Sequence, residues 1–264
     1  MEEAIRMIDN INLYQGDCLK LMKDIPDGCI DMILCDLPYG TTNCAWDSVI
    51  PFDPLWEQYE RIIRDDGAIC LFGQEPFSSN LRLSNLKIYR YDWIWKKPYG
   101  ANFLIIKKQP FRVHETISVF SKKPANTSPE VMRYFPIMRE GTPYKTKDEK
   151  FREPTSTVRK TIKRIPIDNL GERYPESILE FNFDNEKYHS TQAPIALLEY
   201  LIKTYTKSGE IVLDNCMGSG STGVACVQTS RKFVGMELSD EYFEIAKRRI
   251  ADAIPPLFLD EDNE

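Results

Sequence analysis

Two short stretches hold residues whose types and spacing could do chemistry. The first, Cys35-Asp36-Leu37-Pro38-Tyr39-Gly40, sets a carboxylate, a proline and an aromatic ring at the end of the apolar run Ile30-Asp31-Met32-Ile33-Leu34-Cys35. In α/β folds, strand ends of this kind hold ligands, whereas proline and glycine alone signal no more than a turn. The second, residues 211–223, reads IVLDNCMGSGSTG. Gly218, Gly220 and Gly223 satisfy G-x-G-x-x-G between a strand and a helix, the pattern of a nicotinamide or flavin dinucleotide site. That pattern opens directly at the strand end, and here Asp214 comes first. Its charge repels a pyrophosphate and suits an amino-acid ammonium or a sulfonium, which points to S-adenosyl-L-methionine. A phosphate loop needs Lys followed by Ser or Thr after its last glycine and finds Val224-Ala225. Glu237 follows the next apolar segment, Phe233-Val234-Gly235-Met236, where an acid can accept both hydroxyls of a ribose. The plainer reading of Glu237 is a solvated acid favoured by a helix N-terminus.

Such residues need a sheet to position them. The pattern predicts a strand over 11–15, a helix over 17–22, a strand over 29–35 and a helix over 53–63, where Leu55, Trp56, Tyr59, Ile62 and Ile63 recur at helical spacing. Asp65-Asp66-Gly67 should close that helix before a strand over 68–72. The alternation of strand and helix implies parallel pairing. Residues 89–95 and 116–120 read as late strands, an antiparallel pair at one edge, joined through a mobile loop at 96–102. From 122 to 187 the rhythm is lost and the chain reads as an insertion. It returns with a helix over 194–205, a strand over 210–213, a helix through Cys226, a strand over 233–236 and a last helix from Asp240.

A chain of 264 residues, 42% hydrophobic and 28% charged, suits one large α/β domain or one with an insertion. No apolar run reaches the roughly 20 residues of a membrane span and the start lacks a signal-peptide layout, so a cytoplasmic protein with no membrane partner is expected. The seven cysteines are never spaced Cys-x-x-Cys and read as buried thiols. With only His114 and His189, no metal site is expected. The net charge of −6 is unevenly spread: residues 121–165 carry twelve basic side chains against five acidic, a net of +7, and the remainder is −13.

Taken together and in this order, the two stretches resemble the amino-group DNA methyltransferases, which methylate an exocyclic amine of adenine or cytosine. Asp36-Leu37-Pro38-Tyr39 is similar to the family's Asp-Pro-Pro-Tyr motif, and 214–223 to its cofactor loop; His189-Ser190-Thr191-Gln192-Ala193-Pro194 is similar to the entry of the helix before that loop. The catalytic motif precedes the cofactor loop, with a basic insertion between them, which is the beta-class order. Leu37 departs from the family's first proline, Asn215-Cys216 from a usual Pro-Phe, and Ser190 and Ala193 from a common proline and lysine; none of these removes a reacting group.

The resemblance implies an α/β fold: a Rossmann-like S-adenosylmethionine-dependent methyltransferase sheet, circularly permuted, with an inserted target-recognition region. Residues 1–121 would be its catalytic half, 122–187 the target-recognition region and 188–264 the cofactor-binding half. It implies site-specific methylation of the adenine N6 amine in DNA, adenine being favoured because Asp opens the motif where Ser could stand. Cytosine-N4 methylation, an RNA or protein amide methyltransferase and a catalytically silent nucleic-acid-binding subunit are the alternatives. Asp36, Pro38 and Tyr39 would be catalytic, with Tyr39 stacking on a base swung out of the duplex. Asp214, Gly218, Gly220 and Glu237 would hold S-adenosyl-L-methionine, Thr191 and Gln192 approaching its methionine end and Asp17 its adenine; helix capping is the alternative for Asp17. Lys122, Arg133, Arg139, Arg152, Arg159, Lys160, Lys163 and Arg164 would contact double-stranded DNA. A companion restriction endonuclease, and a monomer or a homodimer, are left open.

Overall fold

The computed structural model describes residues 5–8, 10–40, 48–100, 102–146, 150–152, 162–164, 167–185 and 192–255, the segments 5–8, 150–152 and 162–164 as backbone only. Two compact units emerge, Pro136–Glu176 and the remainder of the chain.

Among the described residues the larger unit is built on nine strands: β1 (Ile5–Ile8), β2 (Ile11–Gln15), β3 (Ile30–Cys35), β4 (Ile63–Gly73), β5 (Tyr89–Lys96), β6 (His114–Phe120), β7 (Ile178–Glu180), β8 (Ile211–Asp214) and β9 (Lys232–Glu237). Their order across the sheet is β1-β2-β9-β8-β3-β4-β6-β5-β7. The five from β2 to β4 are parallel, and β6 runs antiparallel to both β4 and β5. Helices α1 (Cys18–Leu21), α2 (Phe52–Ile62), α3 (Phe77–Ser84), α4 (Ile195–Tyr205), α5 (Ser221–Gln228) and α6 (Asp240–Ala253) complete the unit.

Side chains alternate across a strand, and β3 shows the consequence. Met32 and Leu34 join a core with residues of α4, α5 and α6, whereas Ile33 and Cys35 join a second core with residues of α1, α2 and α3. All six residues of β3 are buried, as expected of a parallel strand covered on both faces. Asp31 is the charged member of that strand. It accepts from the Ile211 backbone N–H at 2.9 Å, and Arg64 and Arg133 lie 3.2 Å from its carboxylate.

Three expectations meet a different outcome. Helix α2 passes straight into β4, and Arg64-Asp65-Asp66-Gly67 lies within the strand as an irregularity, because Ile63 pairs with Ile30 before the register shifts to Ala68 opposite Met32. The stretch from Lys96 onward is held by specific bonds: the Lys97 N–H donates to the Val113 carbonyl at 2.8 Å, and the Asn102 side chain bonds the backbone of Pro110 and Arg112. Within the segment read as insertion, Ile178–Glu180 adds an edge strand parallel to β5, with Leu179 buried.

Among its described residues the smaller unit contains three nested antiparallel pairings, 139–140 with 172–173, 144–145 with 168–169, and 150–152 with 162–164. They form one interrupted β-ribbon. No helix among the described residues is long and apolar enough to cross a membrane.

Candidate active site

The carboxyl ends of the parallel strands gather the acids. Asp36 follows β3, Asp214 ends β8, Glu237 ends β9 and Asp17 lies just beyond β2. Residues distant in sequence meet here because β8 and β9 insert between β2 and β3, so that the order of the chain reverses across the sheet, a topology that opens a crevice at the strand ends.

On the β3 side, Asp36 is partly exposed as a residue while its carboxyl sits deep among protein atoms. The Tyr39 hydroxyl donates to its Oδ1. Burial, followed by the charge of Glu115, pushes the Asp36 carboxyl up to about 8, against the opposing pull of the Tyr39 hydroxyl and Lys97. Glu115 is itself buried in β6, where Gln74 donates to Oε1 at 2.7 Å and Lys97 pairs with Oε2 at 2.8 Å. The Lys97 ammonium also lies 4.8 Å from the centre of the Trp95 ring. The Tyr39 ring packs against Phe77 at 4.9 Å between centroids, tilted by 32°. Leu37 turns inward and is buried, which anchors the segment and leaves Pro38 partly exposed beside Asp36.

On the β8 and β9 side, burial raises the Asp214 carboxyl to about 6, while the Thr222 hydroxyl and the Cys216 N–H, at 3.1 Å, favour its ionised form. Asn215 accepts from the Tyr59 hydroxyl at 2.5 Å in the core. Glu237 accepts from the Gly218 N–H at 2.9 Å through one oxygen and from the Ser239 N–H at 2.8 Å through the other. Gly218 has φ +49°, and a Cβ placed there would meet nothing within 4 Å, so its backbone faces open space. At Gly220 (φ +81°) a Cβ would instead come within 2.9 Å of the Ala246 backbone, so this glycine serves the packing of α5 on α6.

Asp17 caps α1, accepting from the Leu19 N–H at 2.9 Å, and the neighbouring Gly16 N–H donates to the Glu237 carbonyl. The structure thus brings Asp17, Asp214, Gly218 and Glu237 to one rim. Gln192 reaches the same loop: Ser219 Oγ donates to its Oε1 at 3.4 Å, and its Nε2 donates to Asp184 at 3.1 Å. Capping of α4 falls to Asp184, which accepts from the Ile195 N–H. Thr191 lies outside the described residues.

The basic residues divide into two groups. Arg133 contacts Asp66 at 2.7 Å, Glu210 at 2.6 Å and Asp31 at 3.2 Å, and Lys122 pairs with Asp65 at 3.0 Å, all within the larger unit. In the ribbon, Arg139 pairs with Glu176 at 2.6 Å. Arg152, Lys163 and Arg164 lie on the last pairing, Arg152 opposite Ile162 and Lys163 opposite Phe151. Arg159 and Lys160 lie outside the described residues.

Sequence reasoning passed over Glu115, Lys97 and Gln74 beside Asp36. It also passed over Arg249, whose guanidinium donates to the Ser219 carbonyl at 2.6 Å and braces the glycine loop from α6. An acid inside the apolar run of β6 was the one available signal.

Comparison with known proteins gives a consistent result. The family model described as DNA methylase matches residues 30–248. The chain is 26% identical over 275 residues to the type II methyltransferase M2.MboI of Moraxella bovis, covering 94% of this chain and 90% of that protein. It is 27% identical over 257 residues to M.HpaI of Haemophilus parainfluenzae, covering 90% and 73%. Among solved structures, the PvuII DNA methyltransferase (cytosine-N4-specific) matches with a TM-score of 0.64 at 16% identity over 97% of this chain and 89% of that one. The M1.HpyAVI–SAM complex matches with a TM-score of 0.59 at 22% identity over 90% and 99%. The sheet is therefore the Rossmann-like sheet of the DNA methyltransferases.

Proposed function

The chain belongs to the DNA methylase family of N6/N4 amino methyltransferases, and on that premise we propose that it is a site-specific adenine-N6 DNA methyltransferase using S-adenosyl-L-methionine. The observation that carries this reading is the Asp36 carboxyl at the end of β3, bonded by Tyr39 and facing the Glu115–Lys97 pair, on the strand beside the one that ends in Asp214.

The rim fits the cofactor. The open space at Gly218 admits a close approach to backbone, Asp214 and Glu237 present negative charge suited to a cationic ligand, and Glu237 is placed to accept from a ribose. Asp214, Gly218, Glu237, Gln192, Thr191 and Asp17 would hold it, while Gly220, expected from the sequence to bind the cofactor, packs the loop against α6 instead. When bound, S-adenosyl-L-methionine supplies an electrophilic methyl on a sulfonium, so no covalent enzyme intermediate is needed.

The chain's own residues then have defined tasks. An exocyclic amine is a weak nucleophile because its lone pair is delocalised into the ring. Ionised Asp36 and the carbonyl of Leu37 or Pro38 accept its two hydrogens and draw the nitrogen toward tetrahedral geometry, and such fixed dipoles act most strongly where water is excluded. As the nitrogen–carbon bond forms the nitrogen loses a proton, and Asp36, with its carboxyl near neutrality, is suited to receive it. Tyr39, backed by Phe77, stacks on the extruded base.

The Pro136–Glu176 ribbon is the target-recognition element, and Arg139, Arg152, Arg159, Lys160, Lys163 and Arg164 supply phosphate contacts. Charge reversal at Lys160 and Lys163 should reduce the salt slope of DNA binding by about one for each phosphate no longer neutralised. The deciding experiment is mass spectrometry of nucleosides from DNA treated with purified protein and labelled S-adenosyl-L-methionine. N6-methyl-2′-deoxyadenosine in the digest supports the adenine reading; N4-methyl-2′-deoxycytidine would replace it, and label confined to RNA or protein would overturn DNA as the substrate.

A further inference from the structure

The connection between β5 and β6 has a composition unlike the rest of the larger unit. From 96 to 113 it carries Lys96, Lys97, Lys107, Lys108 and Arg112 and no acidic residue. Lys96 pairs with Glu180 and Lys97 with Glu115, whereas Lys107, Lys108 and Arg112 have no acidic partner among the described residues. Between these charges four consecutive apolar side chains face solvent: Phe103 is 66% exposed, Leu104 85%, Ile105 43% and Ile106 51%. One exposed leucine is ordinary; four in a row, rimmed by cations, mark a binding surface.

The knob is built. Asn102 is buried, its Nδ2 donating to the Pro110 carbonyl at 3.0 Å and its Oδ1 accepting from the Arg112 N–H at 2.7 Å. The Phe111 ring fills the space that a side chain at Gly100 would need. The Ile105 and Lys108 amides close a tight turn on the Asn102 and Ile105 carbonyls. The backbone is therefore set while the apolar side chains project.

Its place in the sheet matters equally. Because β6 runs antiparallel to β4, the loop leaves the same edge as Asp36. β6 lies two strands from β3, about 10 Å at the usual strand spacing. The root of the loop is the Lys97–Glu115 pair that acts on Asp36.

We propose that Phe103-Leu104-Ile105-Ile106 is a wedge that enters the base stack of duplex DNA beside the base presented to Asp36, with Lys107, Lys108 and Arg112 on the flanking phosphates. This rests on the DNA methyltransferase reading above. Extrusion of a base leaves a gap in the stack, and phenylalanine, leucine and isoleucine are the side chains that proteins insert between base steps. A second copy of the chain would bring the three unpaired cations against their own kind, whereas a duplex brings phosphate.

The test uses the Phe103→Ala/Leu104→Ala double variant, both positions being exposed. The substrate is a duplex oligonucleotide carrying the sequence that the wild-type protein methylates in plasmid DNA, matched or mismatched opposite the target base. The variant should lose about 10-fold or more in kcat/KM on the matched duplex, since a wedge helps to offset unstacking. It should recover most of that loss on the mismatched duplex, where pairing is already broken, with cofactor affinity unchanged. Wild-type activity on matched DNA, or an equal loss on both duplexes, would overturn the wedge. So would a loss on both accompanied by dissociation of a wild-type dimer in sedimentation. If the wild-type protein methylates no DNA at all, the enzymatic reading fails and the wedge with it; failure of the wedge alone leaves wild-type methylation intact.

Discussion

Asp36 and Asp214 are both strand-end carboxylates at the same edge of one sheet, on adjacent parallel strands, yet their surroundings differ in kind. Asp214 is buried, but the loop behind it and the start of α5 supply a backbone N–H and a threonine hydroxyl, and its carboxyl is raised only to about 6. Among the described residues Asp36 receives the Tyr39 hydroxyl alone, and it faces the charge of Glu115, so that its carboxyl rises to about 8. A carboxylate that is part of a binding frame is satisfied by the chain around it. One that must take hydrogens from a substrate is left with acceptor capacity in hand, which costs stability in the free protein and strengthens its grip on a donor.

The sharpest way to break this contrast is to delete Asp36. Asp36→Ala should lower methyl transfer by at least about 10²–10³-fold, the effect of removing a preorganised group from a transition state. Calorimetry should find cofactor binding retained, because the frame at Asp214 and Glu237 is untouched. Undiminished turnover would place the chemistry elsewhere.

The reciprocal change acts on the frame. Asp214→Asn or Glu237→Gln should weaken cofactor binding by roughly 1.5–3 kcal/mol, the range for a hydrogen bond to a charged group. If both variants bound the cofactor as wild type, the frame would be misassigned.

Tyr39 touches Asp36 and carries a stacking face, and two substitutions separate these roles. Tyr39→Ala should lose about 1–3 kcal/mol from binding of the target base. Tyr39→Phe keeps the ring and should keep most activity at high pH, while losing the donor that lowers the Asp36 carboxyl. Its activity should therefore need a more alkaline solution than wild type requires.

The smallest effect concerns the charge facing Asp36. The ionised form is the acceptor, so kcat/KM should rise with pH and level off above about 8. Glu115→Gln removes the repelling charge and frees Lys97, both of which lower the Asp36 carboxyl. The rising limb should move to lower pH, with Asp214-dependent cofactor affinity unaffected. A limb that stays in place would mean that Glu115 does not act on Asp36.

The sequence by itself determined the local pieces of this protein. The apolar run of 30–35, the carboxylate, proline and tyrosine behind it, the acid before the glycines and the acid after the next strand are all patterns a few residues long. Strand and helix periodicity is a local property of the chain, so the positions of β2, β3, α2, α4, β8 and β9 could be read from it, as could the antiparallel partnership of β5 and β6. Only the tertiary structure decided how the pieces meet. The insertion of β8 and β9 between β2 and β3 sets Asp214 beside Asp36, and the pairing of β6 with β4 brings Glu115 and Lys97 to face Asp36. No local pattern predicts a charge two strands away. The same holds for the basic residues. Arg133 and Arg139 look alike in the sequence, but Arg133 is held by three carboxylates from β3, β4 and the approach to β8, while Arg139 pairs with Glu176 within the ribbon. Long-range packing decides which charges remain free to meet a ligand, because a cation already held by carboxylates has spent much of its electrostatic attraction within the fold.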